Sequence, residues 1–201
     1  MKTPFVPILG FALCLLLSSC IVTSENPLST PANAEADPKL LGDWYGKKEQ
    51  NLFRFTMRKS PWMHVDIISS KPGDKMDSYD FYPTTIGNNN YLNVVITGKD
   101  DDGKPTKAYT FIRYTISHGR ALQMWKISQD VTAAAVKAGK LKGTVHQDKS
   151  PMMVGTPPRP DVDVSLTGST ASLAKYVRNA DVSTLFSDKM EPLYRVNPSE
   201  K

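Results

Sequence analysis

The side chains best equipped for chemistry in this sequence are Cys14 and Cys20, His64, His118 and His146, and the run Asp100-Asp101-Asp102. A histidine metal site asks for ligands at a short, repeated spacing. Here the three histidines stand far apart, in what reads as a strand, a turn and a loop. The aspartates are contiguous, and the twelfth residue from Asp100 is Phe111, where a calcium loop would close with a bidentate glutamate. They read as a hairpin turn ending in Gly103. His64 and Asp66, two apart on one strand face, have the residue types of a proton-transfer pair, but an exposed pair that satisfies only itself has the same spacing. No serine stands in a G-x-S-x-G elbow. The sequence offers no catalytic, metal-ligating or cofactor-holding set, so the expectation is a protein that is not an enzyme and carries no cofactor.

The cysteines point to a different chemistry. Behind Lys2, the stretch from Pro4 to Leu17 runs 14 residues without a charge, the length of a secretory apolar segment. Carried on to Val22 it reaches 19 residues, close to the roughly 20 that span a bilayer. Pro4, Pro7 and the small pair Ser18-Ser19 favour cleavage over an uncut anchor. A second small-x-small site, Ala32-Asn33-Ala34, lies too far from the apolar core to compete.

Leu17-Ser18-Ser19-Cys20 resembles the lipobox of bacterial lipoproteins. That resemblance implies a signal peptide over 1–19, cut just before Cys20. It also implies a Cys20 thiol bearing diacylglycerol and a new amino terminus acylated in turn, with palmitate as a typical chain. Two or three acyl chains hold a protein on a bilayer where one does not, so the membrane is an expected partner. Residue 21 is isoleucine, not the aspartate that marks inner-membrane retention in Gram-negative lipoproteins. The implied location is the outer membrane, facing the periplasm.

Cys14 leaves with the signal peptide and Cys20 is taken by lipid, so the mature chain keeps no thiol for a disulfide or a thiolate metal site. Stability must come from an apolar core. The charge of the full chain, +5, becomes +4 when Lys2 is removed, and both signs are interspersed. Lys47-Lys48 and the lysines at 137, 140 and 142 form only short basic clusters without interleaved aromatics, which points away from nucleic acid. Residues 21–38, "IVTSENPLSTPANAEADP", hold three prolines and no apolar period. With Cys20 they read as a lipidated, flexible tether, 20–38, of roughly 20–25 Å mean reach.

The remainder, 39–201, reads as a single antiparallel β-rich domain. Leu52 to Met57 alternates Phe53, Phe55 and Met57 against Arg54, Thr56 and Arg58, and Trp62 to Ile68 sets Met63, Val65 and Ile67 against His64 and Asp66. Further strands read at 78–85, 91–97, 109–116, 121–127, 162–166 and 193–196, separated by Gly, Asn, Asp and Pro turns. Two short helices near the C-terminus follow Ser128 and Ser169 as N-caps, the first with Val131, Ala134, Ala135 and Ala138 as its apolar stripe. The expected class is mainly β (α+β): an antiparallel meander, closing on itself to remove its edges.

"GDWYG", Gly42 to Gly46, resembles the G-x-W motif that opens lipocalin-like β-barrels. The resemblance implies that Trp44 packs across the closed end beneath an arginine from a late strand, here Arg195 in "LYRV". The chain lacks the T-D-Y motif of that family and places helices near its end. The succession of "AAAVKAGKLKGTV" and "VSLTGSTASLAKYV" resembles a layout in uncharacterised bacterial lipoproteins. The loop "HQDKSPMMVGTPPRP" carries four prolines around Met152, Met153 and Val154, adaptable side chains suited to contact with a ligand or partner. The functional expectation is a non-enzymatic, lipid-anchored envelope protein binding a small hydrophobic ligand in its barrel. The alternative is a structural or assembly factor that contacts another envelope protein.

Overall fold

The computed structural model describes residues 22–71, 73, 76–99, 104–148 and 161–196. Its strands are β1 (Val22–Ser24), β2 (Gly42–Gly46), β3 (Asn51–Met57), β4 (Met63–Ile68), β5 (Asp77–Ile86), β6 (Asn89–Lys99), β7 (Pro105–Ser117), β8 (Ala121–Lys126), β9 (Gly143–Asp148), β10 (Asp161–Leu166), β11 (Asp188–Lys189) and β12 (Leu193–Arg195). The helices are α1 (Gln129–Lys137), α2 (Thr170–Asn179) and the single turn α3 (Val182–Leu185).

Strands β2 to β8 form an antiparallel meander, and β12 returns to pair with both β2 and β8, closing a barrel of eight antiparallel strands. Closure leaves the barrel wall without an edge. The barrel strand β7 is long enough to pair with β8 over Ile112 to Ser117 and with β1 at Tyr109. From there the sheet runs out of the barrel as β7-β1-β10-β9.

Two apolar clusters follow from the period of two along a strand. Inward residues, among them Trp44, Phe55, Met63, Phe81, Leu92 and Leu122, fill the barrel. On β5 to β7 the outward residues are apolar as well: Tyr82, Tyr91, Tyr109 and Phe111 form a second cluster with Leu28, Val164, Leu173 and Phe186. The helices and the β10–β9 flap cover that wall, so the central strands are buried on both faces. α1 is capped by the Ser128 hydroxyl, which accepts from the Val131 N–H, and α2 by the Ser169 hydroxyl, which accepts from the Ser172 N–H.

Three expectations change. The segment read as a flexible tether is packed over its described residues: Val22 to Ser24 is a strand, and Val22, Ser24 and Leu28 are buried. Its order comes from long-range partners. The Leu28 N–H donates to Asn93 Oδ1 at 2.7 Å, and the Tyr82 hydroxyl donates to the Ser29 carbonyl at 2.6 Å. Second, α1 buries Thr132, Ala133 and Ala135 and leaves Ala134 and Ala138 exposed. Thr132 can face inward because its hydroxyl donates to the Ser128 carbonyl at 2.6 Å. Third, β9, whose sequence "GTVHQD" shows no apolar alternation, pairs along its full length with β10. A Cβ at Gly143 would run into the Ser165 carbonyl oxygen; glycine is what lets the two strands approach there.

Candidate functional site

One end of the barrel is closed by Trp44 and Arg195, which are register partners on β2 and β12. Trp44 has no solvent exposure, and its indole N–H donates to the Leu40 carbonyl at 2.7 Å. The Arg195 guanidinium lies 4.3 Å from the centre of the indole ring. Its Nε donates to the Gly119 carbonyl at 2.8 Å, Nη1 to the Leu41 carbonyl at 2.8 Å and Nη2 to the Lys39 carbonyl at 2.5 Å. One side chain thus ties the first barrel strand, the β7–β8 turn and the incoming chain together. Gly42 explains the first letter of the motif: its φ is +111°, and a Cβ there would stand 3.2 Å from Arg195 Nη1. Beside it, Asp37 accepts from Lys39 N–H and from the Tyr114 hydroxyl at 2.9 Å. Burial, reinforced by the Asp37 carboxylate, pushes ionisation of Tyr114 far above the ordinary tyrosine range.

Above Trp44 the interior is occupied by side chains. Met63 and Leu122 have no exposure, Phe81 has 1% and Leu193 2%. Phe53, the register partner of Trp44 on β3, and Ile67, Tyr79, Ile96 and Ile112 pack on this cluster but keep part of their surface in solvent. Two depressions lie outside the barrel and open to water. One, of about 590 Å³, is bordered by Lys47, Lys48, Lys189, Met190, Glu191 and Tyr194. The other, of about 500 Å³, lies between Pro31, Ala34, Lys59 and Trp62.

The outer wall opposite the helices carries an apolar row that crosses four strands in register. Tyr194 on β12 is partnered with Tyr45 on β2, Tyr45 with Leu52 on β3, and Leu52 with Ile68 on β4. Tyr45 and Tyr194 are 37% and 39% exposed, and Leu52 and Ile68 are partly exposed. Lys47 Nζ sits 4.7 Å from the Tyr194 ring centre. The row adjoins the larger depression and its lysines. Glu191 organises that corner by accepting from the backbone N–H groups of Lys48 and Glu49 in the β2–β3 turn.

His64 lies further along the same wall. Its Nδ1 is 2.6 Å from Asp80 Oδ1 and its Nε2 3.1 Å from Asp66 Oδ1. Both ring nitrogens are committed to carboxylates, so neither is presented to a substrate. Arg58 stands 3.8 Å from Asp80, and Arg54 pairs with Asp43 at 2.9 Å, making a polar ladder across the wall. Among the described residues no cluster of three or more histidines, cysteines, aspartates and glutamates is arranged to hold a metal ion.

Of the residues singled out in the sequence, Trp44 and Arg195 are brought together. Cys20 and the aspartates from Asp100 to Asp102 lie outside the described residues, as do Met152, Met153 and Val154. The flanks of the methionine loop are described: Asp148 and Asp161 are register partners at the end of β9 and the start of β10. The row Tyr194, Tyr45, Leu52, Ile68 was not legible as a surface. Its only signal was that each of these residues puts an apolar side chain on the otherwise polar face of its strand. Compared with protein-family models, curated proteins and solved structures, the chain matches none.

Proposed function

We propose that this chain is a lipid-anchored bacterial envelope protein, held on the outer membrane through acyl chains on Cys20. On this reading it acts without catalysis, as an assembly or structural factor that contacts another envelope protein through the outer wall of its barrel. The observation that carries the choice of surface is the pairing of a filled interior with an exposed apolar row. A barrel that stores a ligand keeps an apolar space of several hundred Å³, whereas here Trp44, Met63, Phe81 and Leu122 occupy it. Contiguous apolar surface with a polar border marks interaction sites, and Tyr is among the residues enriched there. The lysines at 47, 48 and 189 around Tyr194 fit a partner with acidic groups bordering an apolar centre.

A second reading has one observation in its favour: the partly exposed apolar residues Ile67, Tyr79, Ile96 and Ile112 on the inner cluster would hold an apolar molecule shallowly. One experiment separates the two. A photoreactive residue at Tyr45 or Tyr194, in the full chain in its membrane, should trap a protein of discrete mass. The same group at the exposed Thr167 should not, and Lys48→Glu should weaken the adduct. Absence of any adduct from the row, together with a small apolar molecule extracted from the purified protein and lost in Ile96→Arg, would overturn the leading reading.

A further inference from the structure

We infer that the domain has no tether: the end of its sheet at which β1 begins is held directly against the bilayer, in one fixed orientation. The inference rests on the reading of Cys20 as the anchor.

One residue, Ile21, separates Cys20 from Val22. A fully extended chain covers about 3.3–3.6 Å per residue, so the cysteine backbone stands no more than about 7 Å from Val22. Val22 is already inside the fold. It is 3% exposed and paired in register with Val164, followed by Thr23 with Ser165 and Ser24 with Leu166. The next residues are pinned in turn: Glu25 N–H donates to the Leu166 carbonyl at 2.9 Å, and Asn26 Nδ2 to the Gly168 carbonyl at 3.1 Å. Nor can β1 peel away to lend length. In the order β7-β1-β10-β9 it is the strand that joins the flap to the barrel, and releasing it would strip Leu28 and Val22 from the outer core and leave β10 with an open edge.

The topology then fixes which surface meets lipid. β1 and β10 run parallel, so both begin at the same end, and β9, antiparallel to β10, finishes there. The exposed side chains of Asp163 and His146, partners in register on β10 and β9, mark this end. β3 lies four strands from β7 whichever way the eight-stranded barrel is followed. β1, antiparallel to β7, begins at the end where β7 finishes, whereas Tyr45, Leu52 and the β2–β3 turn lie at the end where β7 begins, so this wall stands across the barrel from β1 and away from the end at which β1 starts. A partner would be met at a set height above the membrane, not within a wide swept volume.

The test uses the acylated full chain in vesicles of phosphatidylethanolamine and phosphatidylglycerol that contain a headgroup quencher. The anchor consumes the thiol of Cys20, so a fluorophore can be placed on single cysteines by Asp163→Cys, His146→Cys or Lys48→Cys. Quenching should be strong at 163 and 146 and close to background at 48. A flexible Gly/Ser insertion of about 20 residues after Cys20, with a mean reach of roughly 25 Å, should lower quenching at 163 to the level at 48. Equal quenching at 163 and 48 in the parent protein, or no change on insertion, would overturn the inference. The mass of the Cys20 peptide is read in the same sample: acyl groups present with equal quenching sink the fixed orientation alone, and acyl groups absent sink the anchor and this inference with it.

Discussion

The closing end of the barrel gives the sharpest energetic prediction, because Trp44 and Arg195 touch each other and also hold separate partners. Trp44→Ala empties a site with no solvent exposure and removes the bond to the Leu40 carbonyl. It should cost about 3–5 kcal/mol, as for other buried aromatic truncations. Arg195→Ala loses the ring contact at 4.3 Å and three charge-assisted bonds to carbonyls, about 2–4 kcal/mol together on a partly exposed group. Each single variant already forfeits the shared contact, so the double variant should cost less than the sum by about 1–2 kcal/mol. Arg195→Lys should recover little of the loss, since a compact ammonium cannot reach three carbonyls and cover an indole at once. The assay is equilibrium urea unfolding followed by far-ultraviolet circular dichroism, which does not depend on Trp44 as a reporter. Additivity within about 0.3–0.5 kcal/mol would refute the argument that one guanidinium couples the first and last barrel strands.

Other consequences follow from the packing. Leu28→Ala should destabilise the domain by about 2–4 kcal/mol, because Leu28 is 2% exposed; a change within error in the same unfolding assay would restore the picture of a loose N-terminal segment. Gly143→Ala should cost about 1–3 kcal/mol as an overpacked site, and hydrogen exchange should quicken in β9 and β10 ahead of the barrel; uniform exchange would show that the flap is not a separate weak unit. Burial, with Tyr109 adding for Tyr82 and Asp37 for Tyr114, raises the ionisation of both tyrosines above the ordinary value. The unfolded chain therefore loses these protons first. The stability they confer is complete below the ordinary tyrosine pKa of about 10 and declines as pH rises through it. Tyrosinate absorbance from these two residues should appear only together with loss of dichroism, and ionisation of every tyrosine near pH 10 with the fold intact would contradict it.

Where one strand face is polar, the sequence was readable. Phe53 and Phe55 against Arg54, and Met63, Val65 and Ile67 against His64 and Asp66, announce half-buried strands, and the structure places them in the barrel wall. Ser128 and Ser169 announce α1 and α2 because capping is a local bond. The second core was hidden by the opposite pattern. Phe81-Tyr82, Tyr91-Leu92 and Phe111-Ile112 are apolar on both faces, which identifies strands but erases the mark of an inside and an outside. β1 was hidden because its order is not local: a segment with three prolines is held by Asn93, Ser165 and Tyr82 from distant strands. At the closing end, Gly42, Trp44 and Arg195 were legible as a motif, whereas the carbonyls that hold the guanidinium belong to backbone that no residue type announces. The outer row was illegible for a related reason: Tyr45 and Ile68 become neighbours of Leu52 only once the register of three strands is known.

The proposed anchor on Cys20 underlies both the proposed function and the fixed orientation, and its test is the intact mass of the protein purified from membranes. The purified chain should begin at Cys20, lack residues 1–19 and be heavier than its sequence by a diacylglycerol and an amide-linked acyl chain, with Cys20→Ala left as the uncut precursor. A chain that begins at Met1, or one cut elsewhere with an unmodified Cys20 thiol, would contradict it.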